Sequence, residues 1–368
     1  MVNQVSPSLK YHSWHVGVRN QLSDEEAPAL VMVRGSEFNH NKEKKFEEDK
    51  GHMGTSSTVI GKYASEATSE PEFTDMCRYC EGWEDIWLLA LGSDDGEGAI
   101  RKTVLTEGVY KYDYGINIAK PQDPYFCTLY NGISVSENDG WKYEDSLLNS
   151  LEVKGSNTDA PSYTAKFVSN FPRFRQPNPS NIIPSTTIFP KPSNVSIFMA
   201  PVGNYTAETI KPYKFACYKE WDFQLNMNVE SDPCSDDEFG TTTKVQGELD
   251  GSFSMTIPWK QNTKNIEYNF ATGSEDTSLT TVTSENYERT VWILMENGAI
   301  GNTDYNYSTL IKVPLMLVTA ADSPQSGTDA KSIEISGDIV QSSFASIVEA
   351  SITTSLSDLH VSTVNTTP

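Results

Sequence analysis

The stretch WDFQLNMNV, residues 221–229, alternates apolar and polar side chains, so that Trp221, Phe223, Leu225, Met227 and Val229 share one face. Alternation with a period of two predicts a β-strand that buries one face, which is typical of antiparallel sheets. The same pattern occurs in FSMTIPW (253–259), YKYDYGINI (110–118) and SWHVGV (13–18).

Helical patterns are few and short. EDIWLLALG (84–92) predicts a brief helix that ends at Gly92, and NTKNIEYNFATG (262–273) predicts a second, with Asn262 as its N-cap and Gly273 at its end. The expected fold class is therefore mainly β, with one short helix in each half of the chain.

Both helices are followed by nearly the same residues, ALGSDD at 90–95 and ATGSED at 271–276. If the chain is duplicated, further matches must occur in the same order on both sides of this pair. Four more do, and we interpret the series as a tandem duplication: the strands at Trp14 and Trp221, STVIGKY (57–63) with TTKVQGEL (242–249), CTLYNGI (127–133) with WILMENGAI (292–300), and SLEVKGS (150–156) with SIEISGD (332–338).

Two domains are also expected from the length of 368 residues, which exceeds the usual size of a single core. Prolines are dense between residues 172 and 193, and this composition predicts an extended linker. We therefore predict a first β domain at 1–190 and a second at 191–368. The tract at 34–56 is charged and poor in apolar residues, and it predicts a long loop within the first domain.

The net charge of −22 argues against binding to DNA phosphates or anionic lipid, because such binding depends on clustered Lys and Arg. No stretch approaches the about 18–20 apolar residues of a membrane span, and the N-terminal residues lack the pattern of a secretory signal. The five cysteines do not suggest a disulfide scaffold; CRYC (77–80) has the spacing of a zinc or redox motif but stands alone.

Motifs of known enzyme classes are missing from the sequence: it has no G-x-S-x-G elbow, Walker loop, H-E-x-x-H pair or Rossmann glycine pattern. The acidic runs GSDDGEG and DPCSDDEFG lack the spaced oxygen ligands of a calcium loop, and solvated turns are the preferred interpretation. We therefore expect a protein without catalytic activity and without a metal or other cofactor.

The order of these elements resembles that of the tail tube proteins, also called major tail proteins, of long-tailed viruses of bacteria and archaea. In the second half the resemblance is carried by WDFQLNMNV, QGELDGSFSMTI, YNFATGS, WILMENGAI and SIEISGD. In the first half it is carried by WHVGVRN, STVIGKY, LALGS, TLYNGI and NSLEVKGS. It covers most of the chain through short motifs, but not the central linker or the 34–56 insert.

The resemblance implies a β-sandwich or barrel unit that forms rings, which stack into a hollow tube through which DNA leaves the capsid without being bound specifically. Single-unit relatives form hexameric rings, so a chain with two units is expected to close a similar ring with three copies. The implied partners are further copies of the chain, a tape-measure protein and tail terminator or completion proteins. The implied location is the virion tail, after assembly in the host cytoplasm and without a membrane.

The family places a loop that reaches the neighbouring ring at hairpins equivalent to residues 34–56 and 230–241. The expected stacking residues are Glu37, Lys44, Lys45, Glu47 and Glu48 in the first loop and Asp232, Asp236, Asp237 and Glu238 in the second. Acidic turns are expected after the two helices, at Asp94, Asp95, Glu275 and Asp276, and no ligand is assigned to them.

An alternative function remains open at this point. A pair of non-catalytic β-sandwiches that binds carbohydrate or a surface would show the same strands. It would be expected to carry a platform of exposed Trp and Tyr side chains, and often a calcium site.

Overall fold

The computed structural model describes residues 11–17, 30–33, 37–49, 61–92, 101–115, 125–132, 140–176, 182–183, 187–233, 242–259, 265–276, 278–279, 281–322, 332–341, 347–357 and 359. Within these residues the protein is mainly β and contains two α-helices, which confirms the predicted fold class. Asn262, the predicted N-cap of the second helix, lies outside the described residues.

In the first half the elements are β1 (Tyr11–Gly17), β2 (Leu30–Val33), β3 (Glu37–Asn39), β4 (Lys42–Asp49), β5 (Gly61–Ser69), β6 (Glu72–Met76), α1 (Trp83–Leu91), β7 (Arg101–Thr106), β8 (Val109–Gly115), β9 (Phe126–Gly132), β10 (Gly140–Ser156), β11 (Ser162–Val168), β12 (Arg173–Gln176) and β13 (Ile182–Ile183).

In the second half they are β14 (Val195–Pro201), β15 (Glu220–Asn226), β16 (Glu230–Pro233), β17 (Thr242–Val245), β18 (Asp250–Pro258), α2 (Asn265–Thr272), β19 (Glu288–Ala299), β20 (Asn306–Asp322), β21 (Ser332–Ile339) and β22 (Glu349–Thr354).

The period-two pattern has the predicted effect on burial. Trp221, Phe223 and Leu225 on β15 are buried, whereas Asp222 and Gln224 between them are partly or fully exposed. Because successive side chains of a strand point to opposite faces, this pattern places one face of β15 in the core and the other in solvent.

Both helices end at the predicted glycines. Gly92 has φ 71° and its backbone N–H donates to the carbonyl of Leu88, and Gly273 has φ 63°. A side chain at Gly273 would also lie 2.7 Å from Cβ of Glu285, so this position combines a left-handed backbone with a close neighbour.

The two halves repeat one pattern of strand pairing. We refer to residues 11–176 as the first unit and to residues 195–354 as the second unit. The following antiparallel pairs correspond: β1–β9 with β14–β19, β3–β6 with β15–β18, β4–β5 with β16–β17, β6–β11 with β18–β21, β9–β10 with β19–β20, β10–β11 with β20–β21, and β10–β12 with β20–β22.

The repeat extends to single residues. The pairing of β10 with β11 shifts register between Leu148 and Ser150, and the pairing of β20 with β21 shifts between Val318 and Ala320. Toward β9 and β19, the ladders shift in the same way after Tyr143 and Val313. A β-bulge bends its strand locally, so two matching bulges give β10 and β20 the same course.

Two of the five sequence matches that indicated the duplication are wrong. Trp14 lies on β1, whose equivalent is β14, whereas Trp221 lies on β15, whose equivalent is β3. SLEVKGS belongs to β10 and SIEISGD to β21, which is equivalent to β11. Both errors paired strands by similar alternation, a pattern that every strand with one buried face shares.

The units are joined edge to edge. One continuous antiparallel sheet, which we call the eight-stranded sheet, has the order β3, β6, β11, β10, β15, β18, β21, β20. Its first four strands belong to the first unit and its last four to the second unit. The N-terminal part of β10 also pairs with β9 and β12, and that of β20 with β19 and β22, so each long strand takes part in two sheets.

The units share one hydrophobic core. It contains Phe73 and Leu151 from the first unit together with Phe223 and Ile352 from the second. The β7–β8 hairpin of the first unit also crosses over and pairs with β22 of the second. The segment predicted as an extended linker contains the short strands β12 and β13, so it is partly sheet.

The join between β10 and β15 requires a glycine. Gly155 lies opposite Trp221, and a Cβ added to it would lie 2.9 Å from Nε1 of the indole. We expect Gly155→Ala to lower the free energy of unfolding by about 1–3 kcal/mol, the usual cost of overpacking. Urea unfolding measures this, with Gly298→Ala as control because nothing lies within 4 Å of a Cβ added there. Equal losses in the two variants would contradict the prediction.

Candidate functional site

The described residues contain no group of three or more His, Cys, Asp or Glu side chains that could hold a metal ion. Neither helix in the same ranges is long and apolar enough to cross a membrane. In CRYC, Cys77 is buried and Sγ of Cys80 lies 3.3 Å from the hydroxyl of Thr354. Burial raises the pKa of both thiols, which lowers their reactivity at neutral pH. The two cysteines of CRYC are therefore packed into the fold.

The most distinctive feature of the molecule is the junction between the units, where β10 pairs with β15 from Ser150–Asn226 to Ser156–Glu220. On its outward face Lys154 lies opposite Asp222. Burial raises the pKa of Asp222, with a further upward contribution from Glu152, while Lys154 acts in the opposite direction. The junction therefore combines a backbone ladder with opposite charges across it.

Helix α1 lies beneath this junction and contacts both units. The Trp83 ring packs 5.1 Å from Tyr163 of the first unit, and its Nε1 donates to the hydroxyl of Thr309 in the second at 2.9 Å. The Trp87 ring lies 6.2 Å from Phe223 on β15. Because every residue of α1 is buried, the helix acts as an internal support of the joined sheets.

A buried carboxylate ties the start of α1 to the second unit. One oxygen of Glu84 accepts from the backbone N–H of Cys80 at 2.8 Å and from the hydroxyl of Thr354, on β22, at 2.9 Å. Burial raises the pKa of Glu84 to about 7. Nearby, burial raises the pKa of Asp75 to about 6, although Arg78 acts against this shift.

The outward face of the eight-stranded sheet is predominantly acidic. Its acidic side chains are Glu72, Glu152, Glu220, Asp222, Asp250, Asp322, Glu334 and Asp338. In the described part of this face the basic side chains are Lys154 and Lys166, and each forms an ion pair with a glutamate, Glu152 and Glu72 respectively. The face therefore presents net negative charge to solvent.

A concave recess of about 650 Å³ lies on this face, along the strands from β10 to β20. Its lining includes Asp159, Glu220, Asp222, Asp322 and Glu334. None of the outward-facing side chains in the described part of the sheet is aromatic. Trp221 also lines the recess, but it is buried, so the described lining offers no exposed aromatic surface of the kind expected of a carbohydrate site.

Two hairpins extend from equivalent places on the eight-stranded sheet, and we call them arm 1 (β4–β5) and arm 2 (β16–β17). Arm 1 follows β3 and leads into β6, and arm 2 follows β15 and leads into β18. The predictions of loops at 34–56 and 230–241 are wrong for the described parts, because residues 37–39, 42–49 and 230–233 are strands. The charged side chains favoured a loop, because a hairpin that is exposed to solvent lacks the period-two alternation of a half-buried strand.

Apart from Glu37, which lies on β3, the predicted stacking residues fall on these arms or outside the described residues. Lys44 and Lys45 are exposed on β4. Glu37, Glu47, Glu48 and Asp232 lie on strands, but their side chains are outside what the structure describes, and so are Asp236, Asp237 and Glu238 altogether. Their role in stacking stays a prediction.

Arm 2 rests on the first unit. The buried Lys244 on β17 donates to Oδ1 of Asn170 at 2.6 Å. At the start of the arm, the backbone N–H of Met227 donates to the carbonyl of Asn149 and that of Val229 to its side chain. Arm 2 is thus part of the contact between the units.

The acidic turn after α2 is held to its own unit. Glu275 forms an ion pair with the buried Arg289 and accepts from Asn269 at 3.1 Å. Asp276 accepts from the backbone N–H and the hydroxyl of Ser278, and these hydrogen bonds lower its pKa. Asp94 and Asp95 lie outside the described residues.

Sequence reasoning missed the junction itself. A signal was present, because EFNH at 37–40 matches EWDF at 220–223 when each glutamate is aligned with the threonine opposite it, Thr74 and Thr256. The four letters are too few to identify equivalent strands without the pairing register.

Glu84 predicts a dependence of stability on pH. Its pKa in the folded state, about 7, exceeds the unfolded value near 4.5, so the folded state binds the proton more tightly. Stability therefore falls as pH rises from about 4.5 to about 7, by up to roughly 3 kcal/mol from this group. Glu84→Gln cannot ionise, so its stability should fall less over this range.

Thermal unfolding of both proteins at pH 5 and pH 8 measures the difference, since all other groups titrate in both. We expect Glu84→Gln to gain relative to the unsubstituted protein at pH 8. Parallel pH profiles for the two proteins would show that Glu84 does not titrate in this way.

Comparison of the sequence with protein-family models and with curated protein sequences gives no match. The function has to be inferred from the architecture of the chain itself.

Proposed function

We propose that this chain is a structural protein that assembles into rings, and that the rings stack into the tube of a viral tail through which DNA is ejected. The observation that carries the proposal is the head-to-tail junction. In the eight-stranded sheet, β10, the last strand of the first unit, pairs with β15, the first strand of the second unit. A contact of this kind is heterologous, and heterologous contacts form rings when the rotation between units closes.

A ring of three chains would contain six units, as the resemblance to tail tube proteins implies. Within the chain the junction already continues one sheet across two units. Repetition of the same contact between chains would leave the eight-stranded sheet without a free edge in the ring, which removes a common cause of aggregation. Closure by three copies therefore satisfies the backbone of both outer strands.

The acidic face suits a conduit for DNA. If the solvent-exposed face of each eight-stranded sheet lined the channel of the ring, the carboxylates on that face would point toward the DNA. Like charge repels the phosphate backbone, and tight DNA binding depends on lysines and arginines that neutralise phosphates. Such a channel lets DNA slide without specific binding. The remaining partners, a tape-measure protein and tail terminator or completion proteins, follow only from the resemblance.

A carbohydrate-binding or surface-binding pair of sandwiches is the competing function. It would work as a monomer or small oligomer and would use exposed aromatic side chains. The recess is acidic, and Trp221, the aromatic residue in its described lining, is only 2% exposed, which favours the tube over this alternative.

Negative-stain electron microscopy of the purified protein, over a series of concentrations, tests the proposal. We expect rings with six similar lobes and threefold symmetry, and tubes as the concentration rises. Dispersed monomers at the highest concentration would overturn the proposal and favour the binding function.

Arm 1 is expected to connect stacked rings. Replacement of residues 46–64 by a short turn removes the outer part of the hairpin beyond the Lys45–Glu66 pair. This variant should keep the melting temperature within a few degrees and form rings that do not stack. A Gly-Ser insertion at the exposed Glu107–Gly108 turn serves as control and should still form tubes. Normal tubes from the shortened arm would contradict a role in stacking.

A further inference from the structure

The outer edge of β20 is the counterpart of the junction strand. In the first unit, residues 150–156 of β10 pair with β11 on one side and with β15 on the other. In the second unit, the described residues 320–322 of β20 pair with β21 and have no second strand partner within the described ranges. Within the described part of the chain, the last backbone contact on that side is the N–H of Val318, which donates to the carbonyl of Tyr287.

The matching bulges establish which residues correspond. Leu148 and Ser150 are equivalent to Val318 and Ala320, so Glu152 is equivalent to Asp322. The equivalent strands β3 and β15 are aligned by Glu37 and Glu220. Glu37 lies opposite Thr74 on β6, and Glu220 lies opposite Thr256 on β18. The pairings from Glu37–Thr74 to Lys45–Glu66 keep one register across the break at residues 40–41, so counting on makes Asn41, which has φ 35°, equivalent to Gln224. The backbone N–H of Glu70 donates to the Asn41 carbonyl, as expected if Glu70 corresponds to Ser252, the partner of Gln224.

Helix α2 supplies an independent observation. Trp87 on α1 and Tyr268 on α2 each precede the terminating glycine by the same number of residues. Trp87 is 0% exposed beneath the junction, whereas Tyr268 is 63% exposed. An exposed aromatic ring at the position where its counterpart is buried against the adjoining unit indicates that a further unit covers it.

The two arms also differ in how far they are covered. Lys244 on arm 2 is buried against Asn170 of the first unit, whereas Phe46 on arm 1 is 59% exposed. Trp87 therefore has an exposed counterpart at the outer end in Tyr268, and arm 1 carries an exposed apolar side chain in Phe46.

We propose that β20 of one copy pairs antiparallel with residues 39–43 of a second copy, in the register of the internal junction, so that Asp322 lies opposite Asn41. The partner is a second copy of this chain, and the contact repeats around the ring. The inference rests on the proposed function for the number of copies but not for the contact itself. The second copy would also cover Tyr268.

Cysteine cross-linking tests the register. Glu152 and Gln224 lie directly opposite each other in the internal junction. Three positions along the ladder, the backbone N–H of Met227 donates to the carbonyl of Asn149. Because hydrogen-bonded and non-hydrogen-bonded pairs alternate along an antiparallel ladder, Glu152 and Gln224 form a non-hydrogen-bonded pair. Such non-hydrogen-bonded pairs have Cα atoms about 4.5 Å apart, within disulfide range. The corresponding variant between copies is Asp322→Cys with Asn41→Cys, in a background with Cys217→Ser and Cys234→Ser.

Oxidation of this double variant should give covalent dimers and trimers on a non-reducing gel, with the trimer as the end product. Asp322→Cys combined with Asn39→Cys or with Glu43→Cys samples the neighbouring registers and should cross-link at least about fivefold less. Glu152→Cys with Gln224→Cys is the positive control and should form a disulfide within one chain. Each single-cysteine variant should remain monomeric on the gel.

The outcomes separate this inference from the proposed function. Rings or tubes in the microscope without a cross-link at any of the three pairs would overturn the edge contact and leave the ring. Cross-linked dimers that extend into open chains without rings would support the edge contact and overturn closure by three copies. Stronger cross-linking to position 39 or 43 than to position 41 would overturn the register. A disulfide between positions 41 and 322 of the same chain would overturn the contact between copies.

Tyr268→Ser gives a second readout that does not depend on cysteine chemistry. We expect it to raise the protein concentration needed for ring formation roughly tenfold with little effect on the melting temperature. Tyr305→Ser, which removes another exposed tyrosine, is the matched control and should leave assembly unchanged. Equal behaviour of the two variants would count against burial of Tyr268 in the contact.

Discussion

Every strand at the edge of a sheet carries backbone N–H and C=O groups without a partner strand, and this constraint governs how the two units of this protein are joined. The pairing of β10 with β15 satisfies one edge of each unit and turns two four-stranded sheets into one. The buried side chains beneath it, including Trp87, Trp221 and Phe223, then form a core that belongs to both units. The halves are repeats of one fold that share a single interior.

The repeated strands β10 and β20 connect the layers of the molecule. Each is long, each bends at matching bulges, and each pairs with different neighbours along its two parts. Because the bulges lie at the same places, the repeat can be followed residue by residue where sequence identity has disappeared. This geometric correspondence is the basis of both the ring proposal and the register of the contact between copies.

Much of the secondary structure follows from the sequence, because period-two alternation at β15 and β18 and the glycines after α1 and α2 act locally. The duplication was also recognisable, although two of its five supporting matches paired the wrong strands. Alternation identifies a strand but not its neighbours, and neighbours are defined by hydrogen bonds between distant segments. Arm 1 was misread for a related reason, since its charged residues, such as Lys44 and Lys45, give no period that distinguishes a solvent-exposed hairpin from a loop.

The sequence by itself determined that the chain is mainly β, that it carries two short helices with equivalent ends, and that its overall charge is strongly acidic. Only the tertiary structure decided where that charge lies, which strands are equivalent, and that the units are joined through Ser150–Ser156 and Glu220–Asn226. The physical reason is that side-chain patterning acts over a few residues, whereas strand pairing and the sharing of a core depend on segments far apart in the chain.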